Sequence, residues 1–244
     1  MKVVAFTIAD KANEKYLEMF KNSLRKWHTE EELPLTIVGQ EWLDKINDPQ
    51  KFYRATPMIA KDLIQKFDLV IKFDCDQIVT GKLNHLWEEA NYDVGCVLNG
   101  NPKEPPVTVW DIHPLEYVNC GLVAMRSKEF INHWWKLCTS PHFQNYQMRE
   151  QDLLNIMVHY GSYKAKNFDA SDNWHGLVAK GWYSNCELKD GELILPKGDR
   201  VWPHDGDKVI KVIHFAGGNN DPEKGNYRIR FKEEVVKWLD QLVK

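Results

Sequence analysis

Apolar strands and amphipathic stretches alternate through the first third of the chain, and the alternation ends on a pair of carboxylates. Val3-Val4-Ala5-Phe6-Thr7-Ile8 reads as a buried strand. A helical pattern from about Ala12 to Trp27 follows, with Tyr16, Phe20, Leu24 and Trp27 on one stripe. Leu35-Thr36-Ile37-Val38 is a second short strand, ended by Gly39. Thr56-Pro57 reads as a helix start, with Met58, Ile59, Leu63 and Ile64 as its buried face. Phe67 to Phe73 is a third strand, closed by Asp74-Cys75-Asp76. This order predicts parallel strands with helices on both faces of the sheet. Ligand sites in such sheets fall at the carboxyl ends of strands, where Asp74 and Asp76 stand. Paired carboxylates at that edge repel each other unless a positive charge lies between them. A hard divalent cation carrying phosphate oxygens suits the position.

The remainder continues in the same style. Asp93 to Leu98 is a strand candidate, and the Asn-, Gly- and Pro-rich stretch 99–114 is a loop. Glu116 to Met125 reads as a strand interrupted by Asn119-Cys120-Gly121. Ser127 caps a helix that runs to about Cys138, and Glu150 to Tyr160 is a helix stopped by Gly161. Residues 167–206 read as irregular and aromatic. Lys208 to Phe215 is a last strand that delivers His214, followed by Ala216-Gly217-Gly218. An imidazole completes a manganese shell that already holds two carboxylates, and neighbouring glycines let backbone N–H groups approach a phosphate. Tyr227 to Leu242 closes as an amphipathic helix. There is no repeat, low-complexity segment or linker, so residues 1–244 read as one domain.

Composition narrows the function classes. At 244 residues and 43% hydrophobic, the chain can bury a substantial core. No stretch approaches the ~20 apolar residues of a membrane span. The apolar Met1–Ile8 run is too short for a signal peptide and is broken by Asp10-Lys11, so a cytoplasmic location is expected. A net charge of -3 argues against nucleic-acid binding by a basic surface. Five cysteines without a Cys-x-x-Cys pair argue against a disulfide framework or a zinc site. Ten tryptophans are many for this length; they suit core packing and also sugar-stacking platforms.

Four segments, in order, resemble glycosyltransferase family 8, whose members have the GT-A (Rossmann-like) fold. They are Phe73-Asp74-Cys75-Asp76, Tyr117-Val118-Asn119-Cys120-Gly121-Leu122, Arg149-Glu150-Gln151-Asp152-Leu153-Leu154-Asn155 and Ile213-His214-Phe215-Ala216-Gly217. The similarity spans roughly residues 3 to 225. The resemblance implies a single α/β domain with a central, mostly parallel sheet flanked by helices. About 1–98 would form the nucleotide-binding half and about 99–244 the donor-sugar and acceptor half. It implies a nucleotide-sugar donor, with a UDP-sugar the family-weighted choice, and a glycan or other hydroxyl acceptor. Mn2+ (or Mg2+) would be bound by Asp74, Asp76 and His214. Thr7 and Asp10 would meet base and ribose, and Arg54 would reach the donor. Gly217, Gly218 and Lys224 would approach the diphosphate, and Cys75 and Gly121 would be further substrate-binding residues. Asn119, Glu150, Gln151 and Asp152 would surround the donor sugar, where amides and carboxylates suit hydroxyls. The family transfers with retention, and Gln151 falls nearest the reacting face. A glutamine is a poor nucleophile, so departure on the front face is favoured over a covalent intermediate.

Two departures from the pattern stand out. Asn219 to Glu223 intervene before Lys224, and Cys75 replaces a smaller residue. An inverting GT-A transferase is the alternative, with Asp169, Asp172 or Asp205 as the base such a route requires. A sugar nucleotidyltransferase would carry a Gly-rich, Arg-containing loop after the first strand, and Thr7 to Asn13 is no such loop. A noncatalytic carbohydrate-binding protein would use Trp174, Trp182, Tyr183 or Trp202 but has no need of the acids.

Overall fold

A computed structural model of the chain describes residues 1–88, 91–99, 111–113, 116–173, 185–196, 206–215 and 226–244. The strands are β1 (Val3–Ala9), β2 (Leu35–Gly39), β3 (Leu69–Asp74), β4 (Gln77–Val79), β5 (Val94–Leu98), β6 (Val118–Met125), β7 (Ala165–Phe168), β8 (Glu187–Lys189), β9 (Glu192–Leu195), β10 (Lys208–Val209) and β11 (Val212–His214). The helices are α1 (Glu14–Trp27), α2 (Gln40–Asp44), α3 (Lys51–Leu63), α4 (His85–Glu88), α5 (Lys128–Cys138), α6 (Glu150–Tyr160) and α7 (Glu233–Leu242). The main sheet has the order β2-β1-β3-β6-β5-β7. Pairs β1–β2, β1–β3 and β5–β7 are parallel, and β6 runs antiparallel to both its neighbours. The sheet is therefore mostly parallel, as expected.

Strands covered on both faces read as continuous apolar runs. β1 is buried at all seven positions. Val4, Phe6 and Ile8 face one core with α3, α5 and α6, whereas Val3 and Ala5 face a second core with Phe20 and Leu24 of α1. The α1 stripe is buried at Tyr16, Phe20 and Leu24, with Trp27 packed at the margin. A third cluster joins Val235, Leu239 and Leu242 of α7 to Ile213 and Phe215.

Several boundaries differ from the sequence reading, each for a physical reason. Helix α3 begins at Lys51, and Pro57 lies inside it. Pro57 is buried on the core-facing side of the helix, so packing offsets the one i→i−4 hydrogen bond that its missing N–H removes. The expected strand Lys208 to Phe215 breaks in two. Ile210 N–H bonds back to Leu193 (2.8 Å) while Lys211 N–H turns to Ser171 (2.9 Å), so β10 joins a hairpin and β11 pairs with β4. The closing helix is likewise split, with a 3-10 turn Tyr227–Ile229 ahead of α7. Within 167–206, β7, β8 and β9 are regular. Asp190 and Gly191 both take positive φ between β8 and β9, a two-residue hairpin turn. All five cysteines are buried thiols, none in a disulfide.

His28 ties the end of α1 to the loop before α4. It is buried, its Nε2 accepts from Leu83 N–H at 3.0 Å, and its ring meets Trp87 edge-on. Burial lowers its pKa to about 4, against a partial upward pull from Glu32. The unfolded chain therefore binds a proton that the fold refuses. The stabilisation is complete above about pH 6.5 and disappears as pH falls toward 4, a swing on the order of 3 kcal/mol. Urea midpoints measured from pH 7.5 to 4.5 should fall less steeply in His28→Gln, which keeps an acceptor but does not titrate. An unchanged slope would show that other groups govern acid stability.

Candidate active site

The site lies at the carboxyl end of β3. Asp74 is the last residue of that strand, and Asp76 immediately precedes β4. The antiparallel β4–β11 pair sets His214 opposite Gln77, and Phe215 N–H donates to Asp76 O at 3.0 Å. His214 Nε2 consequently sits 3.2 Å from Asp74 Oδ2 and 3.3 Å from Asp76 Oδ1. One ligand atom from each of Asp74, Asp76 and His214 lies within 4.8 Å of the other two. Two carboxylate oxygens and an imidazole nitrogen are a donor set that Mn2+ accepts. Asp74 keeps 37% of its side chain exposed while His214 keeps 3%, so the cluster opens to ligand on the Asp74 side.

The charges support one another. Burial alone would lower His214, but Asp76 and Asp74 raise it to about 9. Burial works against ionisation of Asp74, and Lys72 and His214 outweigh it, holding the carboxyl well below the usual range. A cation that takes His214 as ligand must therefore displace a proton from it.

Gly121 makes room for the histidine. A Cβ there would lie 2.3 Å from His214 Cε1. β6 is irregular at this point, its pairing jumping from Cys96–Val123 to Val97–Asn119. The skipped residues carry Gly121 toward the cluster, as irregularities beside sites often do. Asn119 Oδ1 accepts from Gly121 N–H at 2.6 Å and its Nδ2 donates to Asn99. Gln77 Nε2 donates to Gly121 O at 3.0 Å.

Helix α6 starts beside β6. Arg149, just before it, takes φ 51, a left-handed conformation that non-glycine residues rarely adopt. Gln151 Oε1 accepts from Cys120 N–H at 2.9 Å, and Asn155 pairs with both backbone groups of Val118. Asp152 is fully buried, accepting from Tyr117 OH (2.7 Å) and Met148 N–H (2.9 Å). Glu150 differs: its Oε2 is buried with no hydrogen-bond partner among the described residues. Burial pushes its pKa up to about 8; Lys72 opposes this, and Asp74 and Asp152 add to it. A neutral carboxyl there donates as well as accepts.

The other expected residues lie apart from this cluster or on its margin. Cys75 is buried, with Sγ 3.6 Å from Asn13 O. Asp10 Oδ1 accepts from Asn13 N–H (3.0 Å) and Nδ2 (2.7 Å), which places the end of β1 beside Cys75. Thr7 is buried within β1, and its Oγ1 has no hydrogen-bond partner among the described residues. Arg54 pairs with Asp48, donates to Cys138 O at 2.8 Å and covers the Phe143 ring. Asp169 pairs with Lys208, and Asp172 with His85 (2.8 Å) and Lys211 (3.6 Å). Gly217, Gly218, Lys224, Trp174, Trp182, Tyr183, Trp202 and Asp205 lie outside the described residues. Sequence reasoning missed Lys72, which donates to Asp74 Oδ1 and to Cys120 O (2.7 Å). The signal was a lysine within the apolar run of a central strand.

No family model matches the chain, and no curated protein matches it. Solved structures do. The galactosyltransferase LgtC, in complex with donor and acceptor sugar analogs, superposes over 99% of this chain and 96% of its own, with TM-score 0.61 and 14% identity. A glycosyltransferase involved in glycosylation of the major capsid of PBCV-1 matches over 94% and 100%, with TM-score 0.61 and 10% identity. Mouse xyloside xylosyltransferase 1 matches over 91% and 99%, with TM-score 0.55 and 12% identity. The fold of this chain is the GT-A fold of these glycosyltransferases.

Proposed function

We propose that the protein is a metal-dependent glycosyltransferase that moves a sugar from a UDP-sugar to a hydroxyl of a glycan or related acceptor, with retention of configuration. The observation that carries this reading is the meeting of Asp74, Asp76 and His214, from separate segments, at the carboxyl end of β3. Their donor atoms fit Mn2+ or Mg2+. Once bound, the cation neutralises charge that builds on the departing diphosphate. Asp10, Thr7 and the Asn13–Cys75 contact border the base and ribose, with Gly217, Gly218 and Lys224 assigned to the diphosphate from their sequence positions. Glu150 holds sugar hydroxyls as donor and acceptor, beside Asn119 and Gln151. Asp152 fixes the start of α6 through Tyr117 and Met148. Asp169 pairs with Lys208 and Asp172 with His85, so neither is free to serve as the base of an inverting route; retention itself is taken from the family resemblance. No described helix is long and apolar enough to cross a membrane.

The reading predicts release of UDP from at least one UDP-hexose in the presence of Mn2+, and none in EDTA. A panel of UDP- and GDP-sugars, read by nucleotide release and by thermal shift with UDP and Mn2+, checks it. No release and no shift across the panel would overturn it. NMR of the product anomer reads the stereochemistry.

A further inference from the structure

Lys72 has no part in the proposal above, yet it is buried in the middle of the sheet. It lies in β3 between β1 and β6 and is 5% exposed. An ammonium is seldom buried so deeply unless it is paired and hydrogen-bonded. Its hydrogen bonds go to Asp74 Oδ1 and, at 2.7 Å, to Cys120 O. Residues two apart in a strand share a face, so the lysine rises from the sheet directly beneath Asp74. The two oxygens of Asp74 are thereby divided. Oδ1 is held by the fold's own cation, and Oδ2 faces His214 Nε2 at 3.2 Å. Turning both oxygens toward the cluster would strip the ammonium of its anionic partner inside the protein, which is costly.

Resting on the metal-dependent reading, we propose that Lys72 is a positioning residue that sets the choice of metal. By holding Oδ1 it confines Asp74 to one ligand oxygen. Cations differ in their tolerance of that restriction. Ca2+ takes six to eight oxygens and uses carboxylates in bidentate mode, whereas Mg2+ requires near-octahedral geometry with shorter bonds. Mn2+ accepts the mixed carboxylate and imidazole set. A one-oxygen Asp74 therefore favours Mn2+ or Mg2+ over Ca2+. Loss of the positive charge tightens binding of every divalent cation, so absolute affinity does not report the effect; the ratio of affinities does.

The experiment uses the full chain with UDP, following free Mn2+ by electron paramagnetic resonance as Ca2+ is added. Wild type should hold Mn2+ at least about tenfold more tightly than Ca2+, and Lys72→Met should lose most of that preference, an effect of the size seen when outer-shell partners are removed. Lys72→Gln retains an N–H donor for Oδ1 and should keep a ratio near that of wild type. Thermal melts establish that each variant is folded. An unchanged ratio in Lys72→Met with Mn2+ binding intact overturns the assignment of Lys72 and leaves the metal centre standing. A Lys72→Gln ratio that collapses as far as that of Lys72→Met also overturns it, because charge would then matter and orientation would not. Wild type that holds Ca2+ as tightly as Mn2+ overturns it without recourse to any variant. Wild type that holds neither cation defeats the metal-dependent function itself.

Discussion

Asp76→Asn should lower turnover by roughly 10³-fold, since loss of cation-borne charge stabilisation costs several kcal/mol of transition-state energy. Asparagine keeps the shape of the side chain and removes its charge. Asp76 is only 6% exposed, and its Oδ1 lies 3.3 Å from His214 Nε2, so the position has little room in which to compensate. Asp76 is also the strongest charge holding His214 above its ordinary pKa. The substitution thus removes one ligand and loosens a second. Affinity for Mn2+ should drop by more than the ~100-fold upper range for outer-shell partners. Calorimetric titration with Mn2+ and nucleotide release at saturating donor measure the two effects. Wild-type affinity together with wild-type turnover in this variant would remove Asp76 from the metal site.

The parts of the fold that were legible are those with one dominant signal. β1 and β3 are buried on both faces, and their apolar runs have no competing explanation. The limits of α6 are marked by acidic residues in its first turn and by Gly161 at its end. Where two signals conflicted, local chemistry misled. Thr56-Pro57 looks like a helix start, but Phe52, Ala55 and Ile59 continue the apolar face earlier, and tertiary packing carries the helix through the proline. The apolar stretch from Lys208 to Phe215 contains no residue that announces its break. The break is set by backbone partners elsewhere, Leu193 and Ser171, which a linear reading does not contain. Asp190-Gly191 did carry a hairpin signal, between the short runs Glu187-Leu188-Lys189 and Glu192-Leu193-Ile194-Leu195.

The site divides along the same line. Asp74 and Asp76 flank a single residue, Cys75, so their pattern can be seen without a structure. His214 reaches them only because β11 pairs with β4, a contact between distant segments. The separate fates of Glu150, Gln151 and Asp152 were illegible, since consecutive residues at a helix start point in different directions. Asp152 and Gln151 turn to Tyr117 and β6, and Glu150 is left with a buried oxygen that has no hydrogen-bond partner among the described residues. Lys72 was visible as an anomaly, but its role depends on where Asp74 directs its second oxygen.

Gly121→Ala should separate the site from the fold. The added methyl would lie 2.3 Å from His214 Cε1 and 2.6 Å from both His214 Nδ1 and Asn119 Oδ1. None of these atoms is the free end of a flexible chain. His214 is fixed by β11, and Asn119 is held by Gly121 N–H and Asn99. The imidazole must therefore move away from Asp74 and Asp76, and Mn2+ affinity should fall about 10- to 100-fold, as when metal ligands lose their support. Overpacking of this kind also costs about 1–3 kcal/mol of stability. Gly95→Ala supplies the comparison, because its methyl would lie 2.3 Å from two ring carbons of Phe168, in the same sheet but against the core. It should lose a similar amount of stability and bind Mn2+ as wild type does. Paired thermal melts and Mn2+ titrations distinguish the two glycines. Equal losses of affinity in both variants would mean that the histidine responds to general softening of the sheet. Loss confined to Gly121→Ala would mean that the absent side chain at 121 is what allows a carboxylate pair on β3 and a histidine on β11 to share one cation.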